Sequence, residues 1–339
     1  MAPLDHEIEL RGAVAVVGVR GELDLASAAE LAIPPAWKEV WICPYPMGHI
    51  QATGIDAAGR KQYLYHPRWR ERRDRQKFDE MVAFARDLPA LRERVDAILR
   101  DESELTRERV LACAVRLLDR GFFRIGTEEY TVTNESYGLA TIRKEHVTIE
   151  PDGTMVFDYP AKSGKRRIQA VVDPLATEIV GALKRRRGGG PELLAFKNGR
   201  AWGDLRSDDI NAYLKETTGD DFSAKDFRTW SATVIASLAL AVSPAALNSK
   251  TSRKRAITRA IKETSHYLGN TPAVCRASYI DPRIFDAFQG GLVLDQAVIN
   301  EALEAEPGDL PTHHPKIERA VLDLLNENAD SPRLEQVAA

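Results

Sequence analysis

Four places in the sequence set cations or a phenol where they could act on an anion. Lys225 and Arg228 are three residues apart, and Ser223 with Asp226 marks a helix start beside them. Both cations therefore share one face near a positive helix end, an unfavourable arrangement that calls for an anion. Arg124 sits in the run Phe122-Phe123-Arg124-Ile125. A guanidinium in such apolar company needs a partner: a carboxylate such as Glu128 or Glu129, backbone carbonyls, or a bound anion. Lys162 and Lys165 flank the turn Lys162-Ser163-Gly164-Lys165, a tip able to reach into a groove. Tyr279 follows Asn270 by nine residues; taken alone, this phenol reads equally well as a core aromatic at a helix end.

These residues need elements to hold them. Leu268-Gly269 reads as a helix stop with Gly269 left-handed. Thr271-Pro272 reads as the next start, a Thr N-cap followed by Pro at the first helical position. That short helix carries Tyr279 and must end near Asp281, ahead of Pro282. A basic helix is expected over residues 245–265. Leu139–Glu150, Thr154–Tyr159 and Arg166–Val172 read as strands, with tight turns at Pro151-Asp152-Gly153 and at the lysine tip. Thr106–Gly121 carries an apolar helical stripe with Gly121 as its C-cap. Leu91–Arg100 is a further helix, and so is 70–87, broken by Asp87-Leu88-Pro89.

A domain boundary is expected at that break, giving a β-rich domain 1–88 and a larger domain 89–339. Strands are expected at Ala13–Val19, Val40–Cys43, His49–Asp56 and Lys61–Tyr65. In the last of these Lys61, Tyr63 and Tyr65 alternate onto one face, suited to phosphate and base-edge contact. Lys184–Arg187 reads as favourable charge at a helix C-terminus. Beyond Tyr279, Leu292–Glu304 and Ile317–Asn328 read as amphipathic helices of a tail of about 57 residues from about residue 283, expected to pack near the larger domain.

The chain has 339 residues and a net charge of −3, which looks wrong for a nucleic-acid partner but is an average. From Asp281 onward 12 acidic residues face 4 basic ones, whereas residues 60–77 hold eight basic against two acidic. A local basic stripe is the relevant footprint; the bland alternative is a solvated helix face. Cys43, Cys113 and Cys275 are far apart, which suggests neither a disulfide framework nor a zinc site and fits a reducing cytosol. The N-terminus is acidic, without a secretory pattern, and no run of about 18 apolar residues exists to span a membrane. Spacing and charge alone thus point to a two-domain DNA-binding protein.

The pattern Leu268-Gly269-Asn270-Thr271-Pro272 with Tyr279 resembles the active-site segment of type IB DNA topoisomerases, in the poxvirus-like branch found in bacteria. Four further segments match in the family's order, covering roughly residues 33–290. The resemblance implies that Tyr279 is the nucleophile and that Asn270, where viral and eukaryotic members have His, binds a phosphate oxygen. Phe122–Tyr130 resembles the segment of the first catalytic arginine, Arg124, with Thr127 replacing an Asn; Tyr130 matches a DNA-contacting tyrosine. Lys225-Asp226-Phe227-Arg228 resembles the segment of the second phosphate clamp, Arg228, with Lys225 beside it at the DNA. Lys162 matches the hairpin lysine that protonates the leaving oxygen, although Ala161 replaces the family glycine and Lys165 is a local rival. Gly59–Trp69 resembles a DNA-contacting strand, making Gln62, Tyr63 and Tyr65 candidate DNA contacts.

The fold so implied is α+β: a small β-rich N-terminal domain and a mostly α-helical catalytic domain with a three-stranded antiparallel sheet, closing as a clamp around double-stranded DNA. The activity implied is relaxation of supercoiled DNA through a 3′-phosphotyrosine intermediate by a cytoplasmic, nucleoid-associated monomer, with no ATP, metal or cofactor. Two alternatives stand beside it. A tyrosine recombinase or integrase shares the nucleophile but typically has His where Lys225 stands. A non-catalytic DNA-binding relative would explain Thr127 and Ala161 as decay.

Overall fold

Two short strands, His6–Arg11 (β1) and Val14–Val19 (β2), pair antiparallel. They are followed by Lys38–Ile42 (β3), Ile50–Ile55 (β4) and Lys61–Tyr65 (β5), an antiparallel sheet in the order β3-β4-β5. Alternation turns Val40, Ile42 and Ala52 inward against Trp37 and Leu64. The computed structural model describes residues 6–11, 14–19, 31–100, 104–243, 249–305 and 311–337, with backbone alone for 6–19. Residue 13, the start of one expected strand, lies outside them.

The helix Pro67–Arg100 (α1) runs through Pro89 without a break, contrary to the sequence expectation of two helices parted at Asp87-Leu88-Pro89. A mid-helix proline costs about 3 kcal/mol. Pro89 is exposed while Phe84, Ala85, Leu88, Leu91 and Val95 are buried along the other side, and that continuous apolar stripe outweighs the lost hydrogen bond. The division into compact units falls earlier, between Lys77 and Phe78.

The larger unit is mostly helical. Arg107–Gly121 (α2) starts on a Thr106 cap, whose side chain accepts from the Arg109 N–H. Its C-cap is Phe122, left-handed at φ 53°, rather than Gly121; a Cβ on Gly121 would come within 2.2 Å of the Phe123 ring, so packing decides that glycine. Glu128–Asn134 (α3) follows. The expected strand Leu139–Glu150 is two single 3₁₀ turns and only then a strand, Val147–Ile149 (β6). Local bonds win there: the Thr141 hydroxyl accepts from the Gly138 N–H, and His146 Nδ1 accepts from the Arg143 N–H. Met155–Ala161 (β7) and Lys165–Val171 (β8) complete an antiparallel sheet in the order β6-β7-β8, with the tip Lys162–Gly164 as a 3₁₀ turn.

Pro174–Arg185 (α4), the hairpin Ala195–Asn198 (β9) and Ala201–Asp204 (β10), and Ser207–Thr218 (α5) lead to Ala224–Ala241 (α6), buried along most of its length. Lys250–Leu268 (α7) ends on left-handed Gly269, and Pro272–Ser278 (α8) starts on a Thr271 cap, as the sequence suggested. Arg283–Gln289 (α9) follows. The expected helix at Leu292 begins instead as a strand, Leu292–Leu294 (β11), and then continues as Gln296–Ala305 (α10). Gly291, at φ 86°, and an Asp295 cap on Ala297 set that break. Pro315–Leu325 (α11) and Leu334–Gln336 (β12), which pairs with β11, close the chain. The tail does pack on the larger unit. Glu318 of α11 meets Arg92 of α1 at 2.6 Å and accepts from Trp230 Nε1 of α6 at 2.9 Å. No described helix is long and apolar enough to cross a membrane.

Candidate active site

The site is assembled around the C-terminal end of α7, where the last carbonyls of a helix carry partial negative charge. Three guanidiniums from three elements converge on them. Arg228, 3% exposed in α6, donates from Nη2 to the Leu268 carbonyl at 3.0 Å and from Nη1 to the Phe122 carbonyl. The left-handed turn at Phe122 is what presents that carbonyl. Arg124, in the loop after α2, donates from Nη2 to the Gly269 carbonyl at 2.9 Å and to Asn270 Oδ1. Arg167 of β8 donates from Nη1 to the His266 carbonyl at 3.2 Å and from Nη2 to the Tyr267 carbonyl.

The loop bearing Arg124 has little room to move. Its own carbonyl accepts from the Leu139 N–H at 2.8 Å, and Gly126 lies so close to Gly138 that a Cβ would sit 2.7 Å from the Gly138 Cα. The salt bridge to Glu128 or Glu129 that the sequence left open is not the arrangement found: Glu128 accepts instead from the Ser207 N–H and hydroxyl. The partners of Arg124 are a backbone carbonyl and an amide. Thr127 makes no side-chain cap on α3.

Tyr279 is half-buried at the C-cap of α8, with its ring centroid 5.2 Å from the Arg228 guanidinium carbon. Burial, and after it the like charge of Arg124, push the Arg228 guanidinium below the usual arginine range; Tyr279 works the other way. An arginine so shifted is still cationic at neutral pH. Two buried donors here have no acceptor: Arg228 Nε and Asn270 Nδ2. Because Asn270 Oδ1 is taken by Arg124, its amide N–H group is the one left over. Unpaired buried donors cost about 1–3 kcal/mol each, and an anionic oxygen accepting from either would remove its share of that cost.

Lys162 stands exposed at the hairpin tip and shares with Arg124, Ser136 and Tyr137 the lining of a cavity of about 230 Å³. Ala161 takes an ordinary extended backbone, φ −106°, so the missing glycine strains nothing. Lys165, the local rival, is the C-cap of the tip and is not among the residues lining that cavity. Lys225 is exposed on the first turn of α6, beside the Ser223–Asp226 capping box. The side chain of Tyr130 lies outside the described residues. Arg124, Arg228, Asn270 and Tyr279 are thus brought together, with Lys162 near Arg124. Among the described residues no cluster of His, Cys, Asp or Glu is placed to hold a metal ion.

Two residues here escaped the sequence analysis. Arg167 is half-buried, and desolvation pushes its guanidinium down. Tyr159, its cross-strand partner, is buried; desolvation raises its phenol while Arg167, Arg228 and Arg124 oppose the rise. The signal was present: alternation along β8 sets Arg167 on the face opposite exposed Arg166.

In the smaller unit, Gln62, Tyr63 and Tyr65 lie on β5 as expected. Tyr63 stacks on Tyr65 at 6.1 Å, and Tyr65 on Trp69 at 4.3 Å. Lys61 lies 5.8 Å from the Tyr63 ring and Arg73 5.9 Å from the Trp69 ring. This ladder of three rings between two cations leaves Tyr63 exposed. Gln62 is less free: its Nε2 donates to Asp56 Oδ2 at 2.9 Å. The hydrogen bonds of Arg60 hold that Asp56 carboxyl down to about 2.

Comparison with known proteins converges with this geometry. Residues 66–289 match the family described as eukaryotic DNA topoisomerase I, catalytic core, and residues 18–56 match the bacterial DNA topoisomerase IB N-terminal domain. The chain is 30% identical to DNA topoisomerase 1B of Acanthamoeba polyphaga mimivirus over 276 residues, 78% of this chain and 80% of that protein. It is 33% identical to DNA topoisomerase 1 of Schizosaccharomyces pombe over 132 residues, 39% of this chain and 15% of that one.

Proposed function

We propose that this chain, which belongs to the type IB DNA topoisomerase family, relaxes supercoiled duplex DNA through a covalent tyrosine intermediate, using neither ATP nor a metal ion. The Tyr279 oxygen, giving up its proton to water, attacks a backbone phosphorus and forms a phosphotyrosine bond on the 3′ side. The bond from phosphorus to the 5′ oxygen breaks, and that oxygen takes its proton from Lys162. The free strand rotates, and the 5′ hydroxyl then attacks the phosphotyrosine to restore the backbone. The intermediate keeps the energy of the phosphodiester, so no ATP is required.

The difficulty is charge. A phenol ordinarily ionises near pH 10, and its attack adds negative charge to a phosphate that already carries some. Fixed donors aimed at the non-bridging oxygens are the main lever, each worth about 3–4 kcal/mol in related oxyanion sites. Arg124, Arg228 and Asn270 fill that role, as a divalent ion does elsewhere. The observation that carries this proposal is the pair of buried donors without acceptors, Arg228 Nε and Asn270 Nδ2, with the Arg228 guanidinium 5.2 Å from the Tyr279 ring. Lys225, Tyr130, Gln62, Tyr63 and Tyr65 would hold the flanking duplex, with the protein acting as a monomer in the cytoplasm.

The test is relaxation of supercoiled plasmid in EDTA without ATP, with Tyr279→Phe in parallel. Activity of the wild type alone is the expected result. Inactivity of both proteins, with DNA still retained on a gel, would make the chain a non-catalytic binding relative. Strand exchange between defined sites would make it a recombinase.

A further inference from the structure

We propose that Arg167 is a positioning residue that aligns the leaving-group lysine with the phosphate clamp, by strapping the β7–β8 hairpin to the end of α7. This rests on Lys162 being the proton donor. The reaction needs two groups on opposite sides of one phosphorus: the attacking phenol and the acid at the leaving oxygen. They come from different parts of the chain. Tyr279 and Asn270 belong to the α7–α8 segment, whereas Lys162 sits on the hairpin tip. Arg167 joins the two, since its guanidinium donates to the His266 and Tyr267 carbonyls of α7.

Three features make this a strap rather than an incidental contact. The register Tyr159↔Arg167, Pro160↔Arg166, Ala161↔Lys165 puts the anchor two residue pairs from the tip, about 7 Å at the usual strand rise. Arg167 Nε is itself held by Gln169 Oε1 at 2.9 Å, so the planar fork is aimed before it meets the carbonyls. Gly269, left-handed at φ 62°, leaves space for the fork: a Cβ there would lie 3.0 Å from Arg167 Nη1.

The consequence of losing the strap can be localised. The end of α7 is also held by Arg228 and Arg124, so the phosphate clamp stays in place. The hairpin also keeps its fold, because the Ser136 hydroxyl donates to the Ala161 carbonyl at 2.7 Å and the Tyr137 N–H to the Pro160 carbonyl at 2.8 Å. What is lost is the alignment of one with the other, and a displacement of about 1 Å in a reacting group can cost about 100-fold.

The experiment is single-turnover cleavage by wild type, Arg167→Ala and Lys162→Ala on paired duplexes, one with the normal 5′ oxygen and one with sulfur at that bridging position. Sulfur leaves without a proton. DNA affinity and thermal unfolding are measured alongside. Arg167→Ala should cleave the oxygen substrate about 10- to 100-fold slower and recover to near the wild-type rate on sulfur, with affinity and unfolding temperature little changed. Equal slowing on both substrates would overturn the strap and make Arg167 a phosphate contact or a fold determinant. An unchanged oxygen rate would overturn it too. Failure of sulfur to rescue Lys162→Ala would instead remove the premise that Lys162 is the acid.

Discussion

Arg124 and Asn270 act as one unit: the guanidinium donates to the amide oxygen, which turns the amide N–H group into a buried donor without an acceptor. Neither side chain has that property alone. Asn270→Ala should slow DNA cleavage about 100-fold or more, the usual loss for one oxyanion donor. Asn270→Asp should be worse, because a carboxylate replaces the donor with an acceptor and a like charge. Asn270→His should keep much of the rate, since an imidazole N–H can donate there. Rapid-quench cleavage of a labelled duplex ranks the three, and an Asp variant faster than the Ala variant would contradict the donor role.

Arg228 is both clamp and brace. Its fork spans the Phe122 and Leu268 carbonyls from inside the core. Arg228→Ala leaves both carbonyls unsatisfied, with a loss of stability of about 1–3 kcal/mol for each buried group left unpaired. Arg228→Lys should recover only part of the stability and little of the cleavage rate, because one ammonium cannot reproduce a planar fork. Denaturant unfolding and cleavage kinetics read the two effects separately.

The nucleophile is held from behind by Thr233. This fully buried residue of α6 accepts from the Asp281 N–H at 3.2 Å, and its hydroxyl also lies 3.4 Å from the Tyr279 carbonyl. Thr233 is thus a hinge pin between the helix of Arg228 and the peptide groups flanking Ile280. Thr233→Val keeps the shape but strands a buried N–H, destabilising by about 1–3 kcal/mol. Cleavage should slow about tenfold or more with DNA affinity retained, and Thr233→Ser should restore it. A full-rate Val variant would show that α8 alone fixes the tyrosine.

Acid should destabilise the fold in two steps. His313 is buried, with Nε2 2.8 Å from the Asp119 carbonyl, and burial pushes its imidazole below the usual range. The unfolded chain then takes up the proton first, so stability is lost as pH falls below about 6.5. Asp119 behaves differently. Burial opposes its ionisation, but Arg92 at 2.8 Å holds its carboxyl well below the carboxylate range. Its contribution is present above about pH 4 and disappears as pH falls through the depressed folded value. Melting temperature against pH for wild type and His313→Gln checks this: the variant should lose less between pH 7 and 5 and follow the wild type in the acid limb. Parallel curves over pH 7 to 5 would exclude His313.

Local chemistry was legible before any fold was known. Gly269 and Thr271-Pro272 end one helix and begin another through backbone preferences confined to a few residues, and Ser223 with Asp226 caps α6 for the same reason. The order of the matching segments carried the family. In two places where the sequence misled, a nonlocal term had intervened. Pro89 stays inside α1 because buried side chains on either side of it hold the helix together. Leu292 forms a strand because residues 334–336 come back to pair with it.

The partners of the charged groups belong to the tertiary structure alone. Nothing in Phe122-Phe123-Arg124-Ile125 chooses between a carboxylate, a carbonyl and an anion. That choice is made by α7, whose carbonyls reach Arg124 from 145 residues away in the sequence. Arg167 had only a place in the strand Arg166–Val172, and its partners are set by β8 lying beside the same helix end. A sequence determines which groups can donate and which local turns can form, because those depend on neighbouring bonds. It does not show which donor meets which acceptor, because that depends on how distant elements pack once their apolar faces are buried.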